Sequence, residues 1–218
     1  MATKGSALGG PGSAGGVGAG GRPQRADART NRVLVLDAAD EVFGRGGESA
    51  STEEVARLAG VGIATVFRNF PTKAALLEAV LVRRFERLRD QARELVGAAD
   101  PGRVFFDFFA HMVADAAGKI AIAEALADAG GDAPAGAARA SDELERAVGV
   151  LLERAQEAGA VRTDVGLPEV YALLIGASRA AVLARLDEDV QSRALAIVFD
   201  GLAGPPRGAA FPLASGRP

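Results

Sequence analysis

AGVGIATVFRNFPTK, residues 59–73, compresses a turn, a short helix and a stop into one brief stretch. Gly60 and Gly62 free the backbone for a tight turn, because glycine adopts positive φ without a steric penalty. The run 63–70 then carries Val66 and Phe70 one helical turn apart, and Pro71, which lacks an amide N–H, cannot continue it. Upstream, STEE at 51–54 has the form of a capping box, in which the Ser51 hydroxyl accepts from the Glu54 N–H and the Glu54 side chain reaches back. The sequence therefore predicts a short helix from 52 with Val55, Leu58 and Ala59 inward, a glycine turn, and a second short helix over 63–70. Thr72 caps a longer helix that Leu77, Leu81, Phe85 and Leu88 carry to about residue 96. Ahead of all of these, a helix over 30–44 aligns Val35, Ala39, Val42 and Phe43 on one face and ends at RGG, 45–47.

Two short helices across a glycine turn, braced by a third, make a helix-turn-helix, whose second helix enters the DNA major groove. With Val66 and Phe70 inward, Thr65, Arg68 and Asn69 share the outward face, where Arg can pair bidentately with guanine and Asn with adenine. The same geometry also occurs as a plain helical hairpin in a bundle that touches no DNA. A helical small-molecule-binding or scaffold protein is thus the alternative reading.

The bulk composition narrows the classes. At 218 residues, 49% hydrophobic and 24% charged, the chain holds one large core or two small ones. Without cysteine there is neither a disulfide framework nor a thiolate, and a single histidine offers no paired metal ligands. No glycine-rich phosphate loop follows a strand, so no catalytic residue, cofactor or metal is expected. No uncharged apolar run of about 18 residues occurs, nor the apolar segment of a signal peptide, which predicts a cytoplasmic protein with no membrane partner. A net charge of -3 and a pI near 5.4 argue in bulk against a nucleic-acid binder. The charge is unevenly spread, however: residues 22–96 hold 13 Lys/Arg against 11 Asp/Glu, and residues 97–218 hold 11 against 17. Arg22, Arg25, Arg29 and Arg32 in RPQRADARTNR, 22–32, suit an arm on phosphates or in a minor groove, and equally a solvated lead-in to a helix.

The expected fold class is all-α, because apolar residues recur at three and four residue spacing and alternating β-branched runs are missing. Four segments follow: a disordered Gly-rich tail over 1–24, a helix-turn-helix DNA-binding domain over 25–80, a ligand-binding and dimerisation domain over 81–203, and a disordered tail over 204–218 opened by Pro205 and Pro206. In the third segment Asp100 and Pro101 start a helix whose RVFFDFFAHM, 103–112, puts Phe105, Phe108, Phe109 and Met112 on one face. That face is either plain core or the wall of an apolar cavity, with Tyr171, Arg179 or the sole histidine, His111, as polar contacts. ALADAGGDAPAGAARAS, 125–141, is expected to be a loop. Helices are predicted over 141–158, 167–185 and 190–202. In the middle one of these, Leu173, Gly176, Ala177, Ala180 and Ala184 form a stripe of small residues that admits a partner helix, from a second copy or from the same chain.

From residue 35 to 80, VLDAADEVFGRGGESASTEEVARLAGVGIATVFRNFPTKAALLEAV resembles the DNA-binding domain of the TetR family of bacterial one-component transcriptional regulators. The resemblance implies an all-helical homodimer with a small N-terminal DNA-binding domain and a larger C-terminal domain that binds a small apolar effector, most often a repressor of a palindromic double-stranded DNA operator. It also implies the residues at the DNA: Ser51 and Thr52 at the start of the second helix, Ile63, Ala64, Thr65, Phe67, Arg68 and Asn69 on the recognition helix, and Lys73 on a phosphate at the start of the fourth. For the effector it implies the C-terminal domain alone; the local pattern supplies the residues expected there, Phe105, Phe108, Phe109, Met112 and Tyr171, if that face is a cavity wall and not plain core. The chain departs from the family pattern twice. Phe67 stands where tyrosine is usual, and Gly62 replaces a common serine, which removes a hydroxyl and a side-chain cap.

Overall fold

The computed structural model describes residues 21–46, 49–130, 135–184 and 186–204. The tails at 1–20 and 205–218, Gly47 at the expected helix end, and Pro134 lie outside those residues. Among the described residues the chain folds as nine helices: α1 Gly21–Gly46, α2 Thr52–Leu58, α3 Ile63–Asn69, α4 Lys73–Leu95, α5 Pro101–Ala114, α6 Ala116–Asp128, α7 Ala135–Glu157, α8 Leu167–Leu183 and α9 Glu188–Leu202. The all-α class holds, with one isolated bridge between Val161 and Ala203 as the only extended pairing described. None of these helices is long and apolar enough to cross a membrane.

Several starts and stops follow from local chemistry as the sequence predicts. Ser51 Oγ accepts from Glu54 N–H at 3.1 Å, Thr72 Oγ1 from Ala75 N–H at 3.0 Å, and Asp100 Oδ1 from Arg103 N–H at 3.0 Å. Gly60 takes φ +67° between α2 and α3, a left-handed conformation that a side chain would strain. Other boundaries differ. Helix α1 begins at Gly21, nine residues before the expected start, so residues 21–24 belong to a helix and the basic run 22–32 forms its first turns. The loop expected over 125–141 is helical at both ends: α6 runs on to Asp128, and α7 starts at Ala135. Alanine explains this, since it is the strongest helix former and outweighs the breaking effect of scattered glycines.

Two apolar cores result. The first gathers Val35, Ala39 and Phe43 of α1, Val55 of α2, Val66 of α3, and Leu76, Leu77 and Val80 of α4, and it also takes in Ile122, Ala125 and Leu126 of α6. The second is built from Leu88 and Ala92 of α4, Phe105, Phe108, Phe109 and Met112 of α5, and the inward faces of α7, α8 and α9. Helix α4 runs through both, and Phe85 packs against each of them. The expected boundary at residue 80 thus falls inside one continuous helix.

At this crossing lies a group of charges. The Arg84 guanidinium, 11% exposed, pairs with Asp40 of α1 and lies 3.6 Å from Asp115 at the α5–α6 joint. Arg87 reaches the same two carboxylates at 3.6 and 3.5 Å. Asp115 Oδ2 is buried without a hydrogen bond, and the Lys119 ammonium lies 4.0 Å from it. Burial pushes the Lys119 pKa below the ordinary lysine value despite the opposing pull of Asp115. Glycine makes the approach possible, for a Cβ at Gly118 would run into the Arg84 guanidinium. Removing one partner from a buried ion group strands the others. Arg84→Met is therefore expected to lower unfolding free energy by about 2–4 kcal/mol in urea denaturation, somewhat less than for fully buried charges because Asp40 keeps part of its hydration. A loss under about 0.5 kcal/mol would show the group to be screened like a surface pair.

Candidate nucleic-acid interface

Helix α3 has seven residues, and of these only Val66 is fully buried. At 100° per residue, Ala64 and Arg68 fall opposite Val66, with Phe67 and Ile63 to one side and Thr65 and Asn69 to the other. The exposures agree. Ala64 and Arg68 are exposed, Phe67 is 42% exposed and Ile63 lies at the edge of the same face, whereas Thr65 and Asn69 are half-buried. This corrects the sequence reading, which put Thr65 and Asn69 on the outward face with Arg68. Their polar groups are also engaged locally: Thr65 Oγ1 accepts from Arg68 Nη2 at 3.1 Å, and Asn69 Nδ2 donates to the Thr65 carbonyl at 2.8 Å. The outward face is thus one guanidinium steadied by a hydroxyl, beside an apolar patch of isoleucine, alanine and phenylalanine. Such a surface can reach guanine with Arg68 and thymine methyl groups with the apolar side chains.

Of the flanking residues expected at the DNA, Thr52 and Lys73 were expected on phosphates, and each of Ser51, Thr52 and Lys73 has a partner within the fold. Ser51 caps α2. Thr52 is nearly buried, its hydroxyl 3.5 Å from the Glu53 carboxylate. Lys73 turns inward: its ammonium donates to the Ala50 carbonyl at 2.9 Å and sits 5.4 Å from the centre of the Phe43 ring. Leu58, expected inward, is exposed, because α2 buries only Thr52, Val55 and Ala56 against α1.

Comparison with known proteins bears on what this surface is for. Residues 35–80 match the family described as bacterial regulatory proteins, tetR family, and residues 100–204 match the C-terminal domain described as transcriptional regulator SbtR-like. The crystal structure of a TetR transcription regulatory protein from Mycobacterium vanbaalenii is 38% identical, aligns with 83% of this chain and 99% of that one, and gives a TM-score of 0.68. The chain belongs to the TetR family. A second structure, the TetR transcriptional regulator SCO0520 from Streptomyces coelicolor, is 30% identical over 79% of this chain and 98% of that one, with a TM-score of 0.67. The HTH-type transcriptional regulator SAR0097 of Staphylococcus aureus is 29% identical over 70 residues, which span 31% of this chain and 36% of that protein.

In this TetR-family chain the residues expected at an effector are packed closely. Phe105, Phe108, Phe109 and Met112 are all buried in the second core. Phe109 meets Phe199 of α9 edge-on at 5.5 Å, and Phe106 bridges Phe105 at 5.3 Å and Phe199 at 4.9 Å. Phe108 also forms part of the wall of a cleft of about 390 Å³ between α4 and α5, which it shares with Gln91, Glu94, Leu95, Asp107 and His111. Tyr171 of α8 packs on the same core with its hydroxyl buried and without a hydrogen-bond partner among the described residues. Burial, helped by the nearby Glu145, pushes the phenol pKa above its ordinary value.

A buried polar atom without a partner costs stability, so its removal should not. Tyr171→Phe is expected to leave the unfolding free energy unchanged or raise it by up to about 1 kcal/mol, read by thermal and urea denaturation of the ligand-free protein. A loss of more than about 1 kcal/mol would mean that the hydroxyl has a partner in solution.

Proposed function

We propose that this TetR-family regulator is a homodimeric repressor that holds a palindromic operator with α3 and is released from it by a small apolar effector. The observation that carries the DNA half is the outward pairing of Arg68 with an exposed Phe67 on the second helix of a helix-turn-helix, in a chain of this family. Buried aromatic residues stabilise a fold, and one left at the surface beside an arginine on so short a helix is suited to meet a partner.

The dimer half is supported by α8 and α9. Leu183 is 76% and Ile197 72% exposed, with Leu173 and Ile175 also open, and Gly176 and Ala180 supply the small residues that allow close approach. A groove of about 270 Å³ between these helices and α5 is lined almost wholly by apolar and small side chains, among them Val113, Gly176, Ala177, Ala180 and Val198. A four-helix interface with a second copy would cover this surface by two-fold symmetry. For the effector, the Tyr171 hydroxyl offers an unused polar contact inside an otherwise apolar core, the composition common to small-molecule sites. A ligand that occupied this core would release DNA by binding better to the conformation whose two α3 helices are spaced wrongly for the groove.

The DNA assignment is tested by titrating a selected genomic fragment. Arg68→Ala is expected to weaken specific binding by about 1–3 kcal/mol and to relax preference at one base position. Wild-type affinity and unchanged preference in that variant would remove α3 as the reading element. The dimer is tested by Ala180→Glu, which introduces a charge that close packing cannot bury. It is expected to sediment as a monomer with a folded first core and to lose operator affinity, whereas a stable dimer would place the interface elsewhere.

A further inference from the structure

Two cations near the helix-turn-helix carry a DNA reading in the sequence: Arg32, in a run that suits either a basic arm or a solvated helix lead-in, and Lys73, which the family resemblance puts on a phosphate. Their partners in the fold are of another kind. Arg32, exposed on α1, donates from Nη1 to the backbone carbonyl of Asn69 at 3.1 Å, and its guanidinium lies 4.3 Å from the centre of the Phe70 ring. Asn69 is the last residue of α3, so that carbonyl is one of those an α-helix leaves without an internal partner, at the negative end of the helix dipole. Phe70 is buried and fixes where the chain leaves the helix.

Lys73 repeats the arrangement at the opposite end. It is the first residue of α4, and its ammonium donates to Ala50, the residue before the α2 cap, while lying over the Phe43 ring of α1. Each cation therefore joins one backbone carbonyl to one aromatic face, and together they grip the entry to α2 and the exit from α3. The unit between them is short, and its main apolar anchors are Val55 and Ala56 on α2, Val66 on α3 and Phe70 at the end of α3. Helices of seven residues are far below the length that is stable alone, and α3 buries only Val66 completely.

We propose that Arg32 and Lys73 are positioning residues that clamp the two ends of the helix-turn-helix to α1 and α4 and so set the angle at which α3 is presented, instead of neutralising DNA phosphates. The inference rests on the DNA-binding reading for its consequence, but its first readout needs no DNA. In the free full-length protein, Arg32→Met should speed amide hydrogen exchange over residues 63–70, and Lys73→Met over residues 50–58. The expected acceleration is about tenfold or more, the scale of losing a charged hydrogen bond together with a cation–π contact, while the amides of α5 stay as they were.

On a selected genomic fragment both variants should bind about tenfold more weakly or worse, with the slope of log affinity against log salt unchanged, because no phosphate contact is lost. A phosphate ligand behaves differently, since its removal lowers the slope by about 0.9. Arg32→Lys and Lys73→Arg guard against variants that do not fold. Arg32→Lys keeps the charge but loses the planar face and fork of the guanidinium, so it should impair a clamp and leave a phosphate contact largely intact. Faster local exchange with an unchanged salt slope supports the proposal, and a slope reduced by about 0.9 with unchanged exchange overturns it. Should the wild-type chain select no DNA at all, the DNA-binding reading fails, and the exchange data alone decide whether the two cations are clamps.

Discussion

The Arg84 guanidinium, held out of most solvent between Asp40 and Asp115, is the interaction on which the joining of the two cores depends. Helix α4 carries it. With 23 residues at 1.5 Å each, α4 extends about 34 Å, enough to give its first half to the core around α3 and its second half to the core around α5. A single helix bends at low cost when nothing braces it. Here α1 meets α4 through Asp40, the α5–α6 joint meets it through Asp115, and α7 meets it through Glu143 on Arg89 and Arg154 on the Val96 carbonyl. The direction of α1, and with it that of the helix-turn-helix packed on α1, is thereby referred to the body that holds α5, α7 and α8.

Much of this was legible in the sequence where chemistry is local. Ser51, Thr72 and Asp100 are caps whose partners lie three residues away, and Pro71 and the turn at Gly60 act on their own neighbours. Apolar spacing likewise predicted the buried faces of α4 and α5, since period alone decides which side chains lie together. The misses share a different cause. The whole of α6 as a separate helix and the first turn of α7 are rich in alanine and glycine, residues too small to show an amphipathic pattern, and the start of α1 is a polar, arginine-rich run with no apolar period to read. The break between α5 and α6 falls at Asp115, where no glycine or proline marks it.

The candidate site shows the same division. Val66 and Phe70 fixed the inward side of α3, but the exact rotation of so short a helix depends on contacts made by α1 and α2. Thr65 and Asn69 were therefore assigned outward, while the burial of α3 against α1 turns them half inward. Arg32 and Lys73 are visible in the sequence only as charges, and their backbone partners, 37 and 23 residues away, are not visible there. The same holds at the other end of the molecule. Small residues on α8 are easily seen, but the exposure of Leu183 and Ile197 that gives them meaning appears only once α9 is in place.

Whether a two-fold pair of α3 helices reads DNA sequence is decided by selecting fragments from the genome of the source organism with the wild-type protein at physiological salt. If it does, the enriched fragments share an inverted repeat whose half-sites are centred about 10 base pairs apart or a multiple of that, matching one helical turn. Binding should also be far tighter than to random duplex at the same salt, by a factor of about 10³ or more. Enrichment that tracks fragment length or charge without a shared sequence, or no enrichment, would contradict that reading.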